Sequence, residues 1–268
     1  MKRVLITGAA GLIGQVLQRE LSQSYDVVAV DRRRRAKGVA HADMTRESHA
    51  SRSMQGVDVV IDLASAHWQK PWDVVLRNNI PAVWMTLEAA RRHGVRRVIY
   101  ASSNHVTGLY EQDAPFANIV AGNYAGLDPA RVPRITTDMP IRPDTPYGVG
   151  KALGEAAARY FAEACGLSVL CLRVGSLNYA SRPSTARHFA TLITHADMAR
   201  LTRCSIEAPP ELSFGVYYGV SYNTWRIWDF EDATQAIGYE PKDNAEYWRH
   251  ALDGDHRSSE HRSSYRAS

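Results

Sequence analysis

The chain has 268 residues, 45% of them hydrophobic and 22% charged, with a formal net charge of +4. That composition suits a globular protein able to bury a core, and the mild charge, without interleaved aromatics, argues against a nucleic-acid partner. No apolar run approaches the ~20 residues of a membrane span, glycines at 8 and 11 break the apolar start too early for a secretory signal, and Cys165, Cys171 and Cys204 lack paired or metal-like spacing, so a reduced, cytoplasmic setting with no metal is expected.

Residues 3–7, RVLIT, are a short apolar run closed by glycines, which predicts a buried strand and a turn. Helical spacing follows over 12–22. DVVAV, 26–30, predicts a second strand closed by Asp31, and 46–54 a short helix. DVVIDLA, 58–64, is the third strand; 73–93 contain a long helix stopped by Gly94; RRVIYAS, 96–102, is the fourth strand. Residues 109–144 show no periodicity, only scattered glycine and proline. Structureless loops rarely exceed ~12–15 residues, so this stretch is either an active-site lid or holds short structure that the pattern does not reveal. YGVGK, 147–151, then opens a helix over 152–164, and LSVLCLRV (167–174) and SFGVYYGV (213–220) are further strands. The strands are continuously apolar and alternate with helices, which predicts a parallel sheet covered on both faces. The tail, DGDHRSSEHRSSYRAS from 253 to 268, is almost free of apolar residues and is expected to be disordered.

TGAAGLIG places Gly8, Gly11 and Gly14 between the first strand and the first helix, and Asp31 ends the next strand. In that context the glycines let the backbone approach a pyrophosphate, which the helix N-terminus favours, while Asp31 accepts hydrogen bonds from ribose hydroxyls. The alternative is a tight turn that only packs helix on strand. A carboxylate at Asp31 repels a 2′-phosphate, so NAD is expected over NADP; Arg32 or Arg33 would favour a phosphate, whereas Arg34 and Arg35 read as a solvated charged turn. ASSNH, 101–105, puts Ser102, Ser103, Asn104 and His105 where an open parallel sheet meets its ligand. Tyr147 and Lys151 are one helical turn apart and share a face. A phenol is a weak base at neutral pH, and a neighbouring ammonium stabilises its anion. With a hydroxyl from Ser103, the pair moves a proton on or off a substrate alcohol. The alternative for Tyr-x-x-x-Lys is a merely amphipathic surface. Gly148 and Gly150 each lower helix stability by ~1 kcal/mol relative to alanine, and are expected to clear space for ligand on the Tyr147–Lys151 face.

From these residues the chain resembles the extended branch of the short-chain dehydrogenase/reductase superfamily, the NAD-dependent epimerase/dehydratase family, over residues 1–252. Within it, MKRVLITGAAG, KPW, EAARRHG, ASSNH, RPDTPYGVGK, LRVGS and EPKDNAE resemble uronate dehydrogenases. The resemblance implies an α/β, Rossmann-like doubly wound sheet in one domain over 1–252, with a cofactor part to about 174 and a small C-terminal substrate lobe over about 175–252. It implies Ser103, Tyr147 and Lys151 as catalytic residues, Tyr147 being the base and Lys151 also holding the nicotinamide ribose. It implies NAD contacts from Gly8, Ala10, Gly11, Leu12, Ile13, Gly14, Asp31, Arg32, Asp43, Met44, Leu63, Ala64, Ser65, Asn79, Ser102 and Val174. The implied reaction oxidises the anomeric hydroxyl of a hexuronate or related sugar acid to a lactone, with Ser103, Asn104, His105, Ser176 and Arg187 on the sugar. Arg187 would hold the substrate carboxylate, with Arg182 as fallback. His67 stands where the family has a serine that touches substrate; a ligand contact and a solvated loop residue are both open. Members often pair through helices, so a homo-oligomer is among the expected partners. Two other functions fit the same motifs. A nucleotide-sugar epimerase or dehydratase would need a larger C-terminal lobe, and a silent cofactor-binding protein would tend to lose Tyr147 or Lys151. The dense aromatics over 217–228 are expected to pack a core rather than to line a sugar wall.

Overall fold

The computed structural model describes residues 1–33 and 38–250. Its strands are β1 (Arg3–Thr7), β2 (Asp26–Asp31), β3 (Ala40–His41), β4 (Val59–Asp62), β5 (Arg97–Ser103), β6 (Ser168–Val174) and β7 (Phe214–Gly219). They form one sheet in the order β3-β2-β1-β4-β5-β6-β7, every pairing parallel. Its helices are α1 (Leu12–Leu21), α2 (Glu47–Ser53), α3 (Trp72–Arg92), α4 (Phe116–Val120), α5 (Pro146–Cys165), α6 (His188–Thr191), α7 (His195–Glu207) and α8 (Glu231–Ile237). This is the Rossmann-like α/β fold expected from the alternation of apolar strands and helices.

Successive strand residues point to opposite faces, and β1 divides accordingly. Val4 and Ile6 join a core with Leu17 and Leu21 of α1 and with Met198 and Leu201 of α7. Leu5 joins a core with Leu87 of α3 and Phe161 of α5. Both faces are covered, so the strands carry no polar alternation. The strand expected over 58–64 stops at Asp62. Beyond it, the Leu63 and Ala64 N–H groups donate to the Thr7 hydroxyl (3.1 and 3.2 Å), which takes the chain out of the ladder. β3 went unforeseen because two exposed edge residues carry no pattern.

The sheet changes direction between β1 and β4, and a crevice opens there beyond their carboxyl ends. Gly8 lies at its floor with φ of +61°, and a Cβ there would stand 2.7 Å from the Leu63 carbonyl oxygen. Only glycine allows both that conformation and that approach.

Helix α5 borders the crevice. Thr145 caps it by accepting from the Gly148 N–H (3.1 Å), Pro146 occupies its first turn, and Gly166 ends it in the left-handed region. Its glycines do not clear room for ligand, contrary to expectation. A Cβ on Gly148 would lie 2.2 Å from the His105 carbonyl oxygen, one on Gly150 2.5 Å from Val75 Cγ1, and one on Gly154 2.2 Å from the Tyr100 hydroxyl. They seat α5 against β5 and α3.

The stretch 109–144 holds short structure packed on the C-terminal part, and its Glu111 and Asp144 border the crevice. It contains a 3-10 turn (Gly108–Gln112) and α4, and it buries Phe116, Ile119 and Ile135. The Ile135 N–H donates to the Ile227 carbonyl (2.8 Å), and the Asp229 N–H donates to the Ile135 carbonyl (3.0 Å). Two short helices and an isolated bridge leave no period to detect. Most of the aromatics over 217–228 pack as expected: Tyr217 is buried, Tyr218 stacks on the buried Trp228, and Trp225 stacks on Tyr124 (4.1 Å between centroids), whereas Tyr222 is exposed. The expected tail over 253–268 and the turn at Arg34 and Arg35 lie outside the described residues.

Gly148→Ala tests the seating of α5. In an open helix the change stabilises by ~1 kcal/mol; against a fixed carbonyl we expect a loss of about 1–3 kcal/mol, read from the urea midpoint.

Candidate active site

Two contiguous cavities occupy the crevice, of about 410 and about 670 Å³, sharing Gly8, Gly11, Leu63, Ser65 and His67. The smaller is lined by Asp31, Arg32, Asp43, Met44 and Ala64. The larger is lined by Leu12, Ile13, Gly14, Ser102, Ser103, Asn104, His105, Tyr147, Lys151, Val174, Ser176 and Arg187. Nearly every residue singled out in the sequence therefore borders one of them. Ala10 and Asn79 border neither. The Ala10 N–H donates to Asp31 (3.0 Å), and Asn79 accepts from the Ala66 N–H (2.7 Å), so both support the walls from behind. Arg182 is not among the lining residues; its carbonyl accepts from Asn178 (2.8 Å).

Among the residues at the smaller cavity, the buried Asp31 accepts from its backbone neighbour Arg33 (2.8 Å) and from the Arg33 guanidinium (3.1 Å to each oxygen). Burial alone raises the Asp31 carboxyl, but these bonds, with that from Ala10, carry it below the ordinary carboxylate range. Arg32 donates to Asn78 (2.8 Å). Both arginines that would favour a 2′-phosphate are thus engaged elsewhere. Asp43 accepts from the Thr45 N–H (3.0 Å) and hydroxyl (2.7 Å). Helix α1 has Gly11 at its N-cap, with no side-chain cap and no acidic residue in its first turn, so its N-terminal N–H groups remain available for an anion. The residues present fit a dinucleotide: a glycine floor, an uncapped helix N-terminus and a buried ionised carboxylate.

In the larger cavity, Lys151 is 3% exposed and donates from Nζ to the Ala101 carbonyl (2.6 Å). The ammonium lies 4.8 Å from the Tyr100 ring centroid and 5.5 Å from that of Tyr147. Behind it, burial holds the Asp62 carboxyl above its ordinary range, against the Thr7 hydrogen bond and the Lys151 charge. The Ser103 hydroxyl donates to Asn104 Oδ1 and accepts from the His105 N–H (3.2 Å each). His105 presents its Nδ1 to Asp144 (2.9 Å), stacks on Trp68 and meets Tyr147 edge-on. Burial alone raises the Asp144 carboxyl, and the His105 hydrogen bond and charge outweigh it.

The Ser102 hydroxyl donates to Glu155 (2.5 Å), which holds Arg173 in a buried bidentate pair (2.9 and 3.0 Å). Removing either charge of such a pair typically costs about 3–5 kcal/mol, so this pair fixes α5 to β6 beside the site. Ser176 accepts from Arg187 (2.7 Å), and Arg187 forks onto Glu111. Trp68, Glu111, Asp144 and His188 line the cavity without having been anticipated. Asp144 stands three residues before Tyr147, a nearness that could have drawn attention to it; Glu111 lies in the patternless stretch and gave no signal.

The NAD dependent epimerase/dehydratase family matches residues 4–208, and the chain belongs to that family. Its cofactor is NAD, and it is an NAD-dependent oxidoreductase. It is similar to a uronate dehydrogenase of Pseudomonas syringae pv. tomato, 32% identical over 94% of this chain and 86% of the relative. It is equally similar to an NAD-dependent glucose-6-phosphate dehydrogenase of Haloferax volcanii, 32% identical over 90% and 94%. An L-arabinose 1-dehydrogenase (NAD(P)(+)) of the same organism is 31% identical over 91% and 98%. Among solved structures, uronate dehydrogenase from Agrobacterium tumefaciens superimposes with a TM-score of 0.80 at 30% identity, over 95% of this chain and 89% of that one.

The Asp31–Arg33 pair is expected to set cofactor selectivity. Asp31→Ser removes a charged acceptor and releases Arg33, so NAD affinity should fall by about ten- to a hundredfold while NADP affinity rises, as measured by fluorescence titration of both cofactors.

Proposed function

We propose that the protein oxidises the anomeric hydroxyl of a free monosaccharide or sugar acid to the lactone, with NAD as oxidant and Tyr147 as general base. The observation that carries this reading is the Lys151 ammonium, held on the Ala101 carbonyl beside the Tyr147 ring, in the same cavity as Ser103 and continuous with the glycine-floored groove. Three relatives of nearly equal similarity bear names of dehydrogenases for a uronate, a sugar phosphate and an aldopentose. What those substrates share is a sugar ring with an oxidisable anomeric carbon, and that supports the reaction more firmly than any one substrate.

In this mechanism Gly8, Gly11 and the α1 N-terminus hold the pyrophosphate, Asp31 the adenosine ribose, and Lys151 the nicotinamide ribose. NAD, when bound, supplies the acceptor for the hydride lost from C1. Ser103 and Tyr147 hydrogen-bond the anomeric oxygen and fix its orientation. Tyr147 takes the hydroxyl proton as the C1–O bond becomes a carbonyl, and the Lys151 charge stabilises the anionic phenol from which that transfer starts. Asn104 and His105 orient the ring, and the Asp144 carboxylate fixes which imidazole nitrogen faces the cavity.

Tyr147→Phe separates chemistry from binding. The expected result is a fall in turnover of about a hundred- to ten-thousandfold with NAD affinity retained; unchanged turnover would refute the base assignment.

A further inference from the structure

The dehydrogenase reading proposed above leaves the substrate class open, and the sequence resemblance implies Arg187 as the residue on which a substrate carboxylate would fork. Its guanidinium is already occupied. Nε donates to Glu111 Oε2 and Nη2 to Glu111 Oε1, both at 2.6 Å, in the parallel geometry that a carboxylate ligand would adopt. Nη1 donates to the Ser176 hydroxyl at 2.7 Å. We infer that this Glu111–Arg187 pair makes the cavity a site for neutral, polyhydroxylated sugars and that it disfavours substrates bearing a carboxylate or phosphate.

Glu111 is well placed to act as a fixed internal carboxylate. Its side chain is 14% exposed, and that of Arg187 is 33% exposed. The turn that carries it is braced: the Tyr110 hydroxyl donates to the Pro140 carbonyl (3.0 Å), Arg142 lies over the Tyr110 ring, and Arg142 pairs with Asp113. A substrate anion would have to displace Glu111 from the fork or sit against it, and like charges brought together in a partly desolvated site are strongly disfavoured. Among the described residues that line the cavity, the Lys151 ammonium is held on the Ala101 carbonyl (2.6 Å). His105 already faces Asp144 (2.9 Å), and burial, with the Arg187 charge, holds His188 below its ordinary range. A neutral sugar meets no such opposition. The Glu111 oxygens keep lone pairs for hydroxyl donors, and the guanidinium keeps N–H groups for hydroxyl acceptors.

The test compares kcat/KM from NADH formation by the wild-type protein on D-glucose, D-galactose and L-arabinose with that on D-glucuronate, D-galacturonate and D-glucose 6-phosphate. We expect each neutral hexose to exceed its uronate by about tenfold or more. Glu111→Gln, which keeps size and releases the guanidinium, should narrow that ratio by about tenfold, with the uronates gaining. A wild-type protein that uses uronates better than the matching hexoses overturns the inference and leaves the dehydrogenase reading standing; that comparison needs no variant. A ratio unchanged in a Glu111→Gln protein that still binds NAD also overturns it. Absence of NADH from every monosaccharide removes the reading itself, and the inference with it.

Discussion

The site depends on how closely α5 approaches the end of β5. Gly148 lies against the His105 carbonyl and Gly154 against the Tyr100 hydroxyl, each at a separation that leaves no room for a Cβ. That approach brings Lys151 within hydrogen-bonding distance of the Ala101 carbonyl and sets Tyr147 edge-on to His105. Interiors are close-packed and deform little, so a methyl group at either glycine would move the helix and with it Tyr147 and Lys151. The buried Glu155–Arg173 pair, which also takes the Ser102 hydroxyl, ties the same helix to β6. Backbone packing and a desolvated ion pair thus position one ammonium and one phenol.

The charges in the crevice are arranged by pairing. Asp31 is matched by Arg33 and Glu111 by Arg187, and Asp144 is hydrogen-bonded to His105. Lys151 is bonded instead to a neutral carbonyl, and the nearby Asp62 carboxyl is pushed toward its neutral form by burial. With no carboxylate at hydrogen-bond distance among the described residues, the ammonium keeps its field for the phenol beside it. In a poorly solvated setting that field is stronger than it would be in water. The same pairing acts at both ends of the crevice: Arg33 is engaged by Asp31, and Arg187 by Glu111, the contact on which the inferred preference for neutral sugars rests.

The fold was legible because its signals are strong and local. Continuous apolar strands, the glycine spacing after β1 and the acidic end of β2 each follow from a physical requirement that few other arrangements meet. The residues bordering the crevice were legible for the same reason, since a parallel sheet collects its ligands at strand ends. What escaped detection depends on tertiary contacts. The roles of Gly148 and Gly150 are set by His105 and Val75, which no spacing connects to them. Residues 109–144 fold through single bridges and short turns, without a period. Glu111 emerges from that stretch to meet an arginine 76 positions later in the chain.

The central claim is that hydrogen leaves the anomeric carbon as hydride while Tyr147 takes the proton. Its most direct test is mass spectrometry of the reduced cofactor formed from a C1-deuterated aldose. The account predicts one deuterium in the reduced cofactor and a slower reaction than with the undeuterated sugar. Reduced cofactor without deuterium, or label retained in a sugar product of unchanged oxidation state, would contradict it.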